Sequence, residues 1–174
     1  VSTVSPTYAK EIMTAEYGCG LEGVLASRAD GVKGITNGID IDAWNPESDS
    51  YLPAQYTAAD LSGKQACKRA LQRELGLPNR DVPLLAVIGR LTFQKGFDLL
   101  IDVIPELMSL DIQTVVLGTG DHHLEQQFLA AKAKYPDRIG LCLGFNEGMA
   151  HRIEAGADML IMPSRYEPCG LSQL

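Results

Sequence analysis

The sequence has little that would staple or anchor a chain. Its four cysteines, Cys19, Cys67, Cys142 and Cys169, lie far apart with no CxxC pair. A disulfide framework is therefore not expected, and a reducing compartment suits them. The three histidines add nothing metallic. His122 and His123 are adjacent, and helix neighbours point about 100° apart, which makes a poor chelate. His151 has no cysteine at ligand spacing, so no metal is expected. No apolar run approaches the roughly 20 residues of a spanning helix, so no membrane partner is expected. The strongest runs, Leu84–Ile88 and residues 159–162, are strand-sized. Basic tracts are missing too: 15 basic against 22 acidic residues leave a net charge of −7. That balance argues against nucleic acid as a partner, though a phosphate ligand needs only a few local cations. The first residue is not methionine, no signal-peptide pattern precedes residues 1–4, and the chain stops just after its richest motif. The expectation is an internal piece of a longer protein, with any targeting information elsewhere.

What is present is an ordinary globular mixture, 45% apolar and 21% charged in 174 residues, about one domain's worth of chain. Residues 2–4 resemble a strand end. Ser5-Pro6 then opens a helix, serine as N-cap and proline first, expected to run to about Tyr17 before Gly18-Cys19-Gly20. Residues 18–63 are rich in Gly, Asp, Ser and Pro and read as irregular, apart from a short strand and an Asn37-Gly38 turn.

From residue 64 the pattern is regular. Residues 64–75 form a helix closed by Gly76, with Leu77 packing back on Leu71 and Pro78 ending it. Leu84–Ile88 is a continuous apolar strand, as when both faces are buried. Residues 96–110 are helical, with a break at Pro105. A strand at 114–117, a glycine turn at 118–120 and a helix at 122–134 follow, then a strand at 139–143. A helix capped by Asn146 and ended by Gly156 leads to a last strand at 159–162. Strand and helix alternate four times with short loops, the form of an α/β fold: a Rossmann-like parallel sheet with helices on both faces.

Ligands of such sheets bind beyond the strands' carboxyl ends. After the first regular strand come Arg90 and Lys95, with a helix N-terminus directly behind. A guanidinium fork, an ammonium and free N–H groups suit a diphosphate, against the plainer reading of two solvated cations. Gly118 and Gly120 would permit close backbone approach to a ligand, or be ordinary turn glycines. Phe145 could be a platform for a nucleobase, although a packed core aromatic is the commoner case. Asn37 could bond a ligand or merely hold a left-handed turn. The last loop carries Glu167, whose carboxylate could accept sugar hydroxyl hydrogen bonds or simply sit before a helix N-terminus. Cys169-Gly170-Leu171 opens that helix, and its N–H groups could meet a second anion. With no histidine near it in sequence, Cys169 reads as a packed thiol rather than a nucleophile.

These residues also carry a resemblance. Residues 3–9 (TVSPTYA), Thr36-Asn37-Gly38-Ile39-Asp40, Trp44-Asn45-Pro46, Gly89-Arg90-Leu91 with Gln94-Lys95-Gly96, and Leu117-Gly118-Thr119-Gly120 are similar to the glycogen and starch synthases. So are Ala150-His151-Arg152, Ala155-Gly156-Ala157-Asp158 and residues 163–171 (PSRYEPCGL), in the same order along the chain. The resemblance implies a retaining glycosyltransferase of the GT-B fold, with its active site between two Rossmann-like domains. Residues 1–30 would end the N-terminal, acceptor-side domain, and 31–174 would be an incomplete C-terminal, nucleotide-sugar-binding domain. It implies glucosyl transfer from ADP-glucose to the non-reducing end of an α-1,4-glucan (glycogen or starch), with no cofactor or metal. Arg90 and Lys95 match the family's diphosphate-binding pair, and Glu167 matches the first carboxylate of its E-x7-E signature. The second position would be residue 175, outside this sequence. Asn37 matches an asparagine near the donor sugar, and Phe145 stands where an aromatic often meets the base. Gly118, Gly120, Cys169, Gly170 and Leu171 complete the implied donor-binding set. The piece alone is expected to be inactive. The compartment would be the cytoplasm in a bacterium or the plastid in a plant or alga.

Three other readings stand beside it. A nicotinamide dehydrogenase would use a similar sheet, but the 89–96 loop lacks GxGxxG. A non-catalytic nucleotide-sugar or glucan binding module, or a related transferase using UDP-glucose, would fit the same fold.

Overall fold

A computed structural model of the chain describes residues 1–29 and 31–173. It divides into two compact units, Val1–Asp40 with Tyr166–Leu174, and Ile41–Arg165.

In the first unit, β1 (Ser2–Thr3) pairs in parallel with β2 (Lys33–Gly34). Between them lie α1 (Pro6–Glu11) and α2 (Glu22–Ala26). Ser5 caps α1 as expected: its Oγ accepts the Tyr8 N–H at 3.0 Å. The helix nevertheless ends at Ile12 rather than Tyr17. The remaining stretch is a series of turns that closes on Cys19 and Gly20, both at positive φ. The sequence also hid α2, five residues lacking a side-chain cap and without a buried residue, so no apolar periodicity marks it. Asn37-Gly38 forms no turn. Residues 35–40 are exposed, without regular structure, and neither residue takes a positive φ.

The second unit holds a four-stranded parallel sheet in the order β5-β4-β3-β6. Its elements are α3 (Ser62–Glu74), β3 (Leu84–Ile88), α4 (Phe97–Asp102), α5 (Ile104–Leu107), β4 (Gln113–Gly118), α6 (His122–Lys134), β5 (Ile139–Leu143), α7 (Glu147–Gly156) and β6 (Met159–Leu160). The C-terminus of α3 is closed by Gly76 at φ +70. The Leu77 N–H reaches Gln72 O at 2.8 Å and the Gly76 N–H reaches Arg73 O at 3.1 Å, the two bonds of a Schellman end. Pro105 divides the next helix into α4 and α5.

Helices cover both faces of the sheet. On one side α3 and α7 pack Leu71, Leu75, Met149 and Ile153 against Leu84, Ala86, Val115 and Leu117. On the other, α4 to α6 pack Phe97, Leu100, Ile104 and Phe128 against Val87, Val116 and Ile139. Phe97 and Phe128 meet edge to face, centroids 5.9 Å apart. β6 is the chief departure from expectation. It spans two residues rather than four, both exposed, and pairs with β3 only through Leu85↔Met159 and Ala86↔Leu160.

At the amino ends of the strands, polar groups tie α3 to the sheet. Gln72 donates to Gln113 Oε1 at 2.7 Å. Asp158 Oδ2 accepts both the Lys68 ammonium at 2.6 Å and the Leu84 N–H at 2.7 Å. A cavity of about 460 Å³ bordered by Lys68, Arg69, Gln72 and Arg80 adjoins this end.

Candidate functional site

The opposite edge of the sheet is where β3, β4 and β5 release their loops, the end at which open α/β sheets take ligands. A cavity of about 330 Å³ opens there. It is walled by Gly89 and Arg90 after β3, Leu117, Gly118 and Thr119 at the end of β4, Gly144 and Phe145 after β5, Asn146, Glu147 and Ala150 of α7, and Trp44.

Arg90 is exposed on the rim and makes no ion pair among the described residues. Lys95 is half-buried in the same loop but does not line the cavity. That loop is held in shape from the far side. The Arg165 guanidinium donates to both Asp98 oxygens at 2.7 Å and to Phe93 O at 2.6 Å, and lies 3.5 Å over the Phe93 ring. The Arg165 hydrogen bonds hold the Asp98 carboxyl below the usual carboxylate range. Gly96 sits at φ +69, and a Cβ there would meet Pro163 O at 2.0 Å. The loop is thus seated directly on the backbone that leaves β6.

Gly118, Thr119 and Gly120 are not a turn. The strand pairing continues through them: the Leu91 N–H donates to Thr119 O at 3.0 Å and the Asp121 N–H to Leu91 O at 2.8 Å. A Cβ on Gly118 would meet Gly89 O at 2.0 Å, and one on Gly120 would meet Leu91 O at 2.5 Å. The glycines therefore admit the neighbouring strand; Gly118 also lines the cavity, and Gly120 does not. The Glu125 carboxylate fixes this stretch by accepting from the Thr119 hydroxyl at 2.6 Å and the Gly120 N–H at 3.1 Å, bonds that hold its pKa below the usual value.

Phe145 overturns the packed-core expectation. It is 92% exposed. Gly144, at φ +130, turns the chain off the sheet, and Asn146 caps α7 by accepting the Met149 N–H at 2.8 Å. Phe145 is stranded between turn and cap, with its ring toward the cavity mouth.

The remaining expected site residues belong to the first unit. Asn37 is exposed and Glu167 half-buried. Cys169 is half-buried, Gly170 buried and Leu171 exposed, and a three-residue 3₁₀ turn, Leu171–Gln173, stands where a helix start was expected.

One constellation joins two of the resembling segments, Trp44-Asn45-Pro46 and Ala150-His151-Arg152, in a way no sequence spacing announces. His151, 3% exposed, meets Asp49 Oδ2 through Nδ1 at 2.6 Å. Trp44 stacks on its ring with centroids 3.6 Å apart and planes 9° from parallel. Asp49 and His151 are 102 residues apart. The one local hint is a lone tryptophan in a stretch otherwise rich in Asp and Pro.

Among the described residues no cluster of three His, Cys, Asp or Glu side chains could hold a metal, and no helix is long and apolar enough to cross a membrane.

Similarities to known proteins agree with this architecture. Residues 68–174 match the family model of the group 1 glycosyl transferases, and residues 1–27 match that of the starch synthase catalytic domain. A glycogen synthase of Anaeromyxobacter sp. (strain Fw109-5) is 58% identical over the whole chain, which covers 37% of that relative. One from Anaeromyxobacter dehalogenans (strain 2CP-C) is 53% identical with the same coverage. The chain thus spans little more than a third of these relatives' length. The catalytic domain of starch synthase IV from Arabidopsis thaliana, solved bound to ADP and acarbose, superposes with a TM-score of 0.91 at 42% identity, over 99% of this chain and 36% of that one. A two-faced parallel sheet, the GT-B class of these neighbours and matches that run the length of the sequence agree: the chain belongs to the group 1 glycosyl transferases.

Proposed function

We propose that this chain is the donor-binding part of a glycogen or starch synthase, an enzyme that moves glucose from ADP-glucose to the non-reducing end of an α-1,4-glucan with retention. The observation that carries the reading is the cavity at the carboxyl ends of β3, β4 and β5, with the Arg90 guanidinium on its rim and the exposed Phe145 ring at its mouth. The names of the relatives and the ADP and acarbose held by the Arabidopsis neighbour support the same substrates. In this reading residues 1–30 close the acceptor-side domain and the rest is donor domain. The bacterial relatives favour the cytoplasm over the plastid as its compartment.

The chemistry follows from charge. Breaking the glucosyl–phosphate bond leaves a diphosphate with growing negative charge. Arg90 and Lys95, on a loop locked by Arg165, supply fixed positive charge without a metal. A planar nucleobase lies against Phe145. Glu167 accepts hydrogen bonds from the glucose, with Asn37 near the same sugar. Retention then has the acceptor hydroxyl attack from the leaving-group face, as the resemblance to the glycogen and starch synthases implies.

The test is Arg90→Ala and Lys95→Ala in the full-length protein, assayed for glucose incorporation into glycogen. Each should lower activity at least about a hundredfold, roughly 3 kcal/mol of transition-state stabilisation, with little change in melting temperature. Near-normal turnover in either variant removes its diphosphate role. Glu167→Gln should keep ADP binding and lose transfer; the reverse pattern would assign the carboxylate to the nucleotide.

A further inference from the structure

We infer that Trp44 is a wall of the donor's nucleoside subsite, and that Asp49 and His151 are positioning residues that hold it there. The inference rests on the reading that a nucleoside diphosphate occupies the cavity beyond β3 to β5.

A buried imidazole is costly unless its polar atoms are paired. Asp49 supplies that pairing with one oxygen, and its other oxygen accepts the Tyr51 N–H at 2.8 Å. Both carboxylate oxygens are committed, so the imidazole plane is fixed. The Tyr51 ring lies 4.7 Å from it, tilted by 42°. Trp44 then stacks flat on this braced ring. The turn after Trp44 is tied as well, through Glu47 N–H to Asn45 Oδ1 at 3.0 Å and Asp49 N–H to Asn45 O at 2.9 Å.

Trp44 is 39% exposed and lines the same cavity as Arg90 and Phe145. His151 sits on α7 four residues after Glu147 and one after Ala150, both of which also line it. One helix therefore builds the cavity and carries the residue on which the indole rests. A second space of about 210 Å³, bordered by Trp44, Asp49, Tyr56 and His151, lies beside the stack. Losing the imidazole gives the indole room to leave the wall. The chemistry offered is a flat, uncharged, polarisable surface, which suits an aromatic base and its ribose rather than a phosphate.

The test uses the full-length protein, calorimetric titration with ADP, and donor and glucan kinetics on Trp44→Ala, Trp44→Phe, His151→Asn, Asp49→Asn and the Trp44→Ala/His151→Asn double variant. Trp44→Ala should weaken ADP binding about tenfold or more and raise the donor KM, leaving the glucan KM unchanged. Trp44→Phe should restore most of the affinity. His151→Asn and Asp49→Asn should weaken ADP in the same direction. In the double variant the His151 change should add nothing, because it acts through the indole. Unchanged ADP affinity in Trp44→Ala overturns the inference. So does a His151 effect as large without the indole as with it. A parent protein that fails to bind ADP at all would remove the nucleotide reading and this inference with it, an outcome distinct from either. Trp44 is the single tryptophan of the chain. The emission difference between parent and Trp44→Phe therefore isolates it, and ADP should change that difference signal.

Discussion

Phe145→Ala separates a ligand platform from a core residue by two measurements that should move independently. A phenylalanine packed in the interior would cost about 3–5 kcal/mol on truncation. Phe145 is 92% exposed, so almost no buried area is lost. Surface changes of this kind stay within about 0.5 kcal/mol, which keeps the melting temperature within about 2 °C. Binding is another matter. Stacking of a base on an aromatic ring is worth about 1–3 kcal/mol by alanine substitution, which is about 5- to 150-fold in the ADP dissociation constant. Phe145→Tyr keeps the flat face and should stay near the parent. The assays are thermal unfolding and calorimetric titration with ADP on full-length protein. An unchanged dissociation constant would show that the exposed ring is not the base platform. A fall of many degrees in melting temperature would show that it is packed, against the geometry described.

Other perturbations probe the scaffold. Gly118→Ala drives a Cβ to 2.0 Å from Gly89 O; about 3 kcal/mol of stability should go, read by denaturant unfolding. Asp158→Ala strips Lys68 of its ion pair and the Leu84 N–H of its acceptor, and with the pair partly open to solvent the loss should be about 2 kcal/mol. Asn146→Ala removes the α7 cap and should cost about 1 kcal/mol, seen as a lower melting temperature. Asp98 has a folded pKa below its unfolded value. Its bond to Arg165 therefore stabilises above the ordinary carboxylate range near 4 and is lost as pH falls through the lower folded value. Arg165→Leu should flatten that part of the acid stability profile.

Legibility in the sequence followed the range of the forces involved. Helix α6 and strands β3 and β5 have the bounds the sequence predicts, because apolar patterning and the turn residues beside them act within a few positions. Pro105 announced the break between α4 and α5 for the same reason. Signals were weaker where tertiary neighbours decide. Residues 159–162 read as a four-residue strand, but only Met159 and Leu160 pair with β3. Gly118 and Gly120 resembled a turn, and only the approach of β3 and its exit explains them. Arg90 and Phe145 were legible as candidates because a parallel sheet dictates where its ligand loops lie; that Phe145 stands in solvent depended on Gly144 turning the chain. The Asp49–His151–Trp44 stack joins segments more than a hundred residues apart, and no local pattern reports it.

The order β5-β4-β3-β6 gives the sheet a gradient of lability. All six residues of β4 are buried between two full-length neighbours, so its amides can exchange with solvent only when the unit opens as a whole. β6 is held by two register pairs and is exposed along its length, so its protection should fade first. The backbone leaving β6 is what Gly96 and Gln94 press against, and Arg165 lies at its end. Opening at β6 therefore reaches the loop of Arg90 and Lys95 before it reaches the central strand β4, which carries Gly118. In this chain deuterium uptake should therefore rise at β6 before it rises at β4.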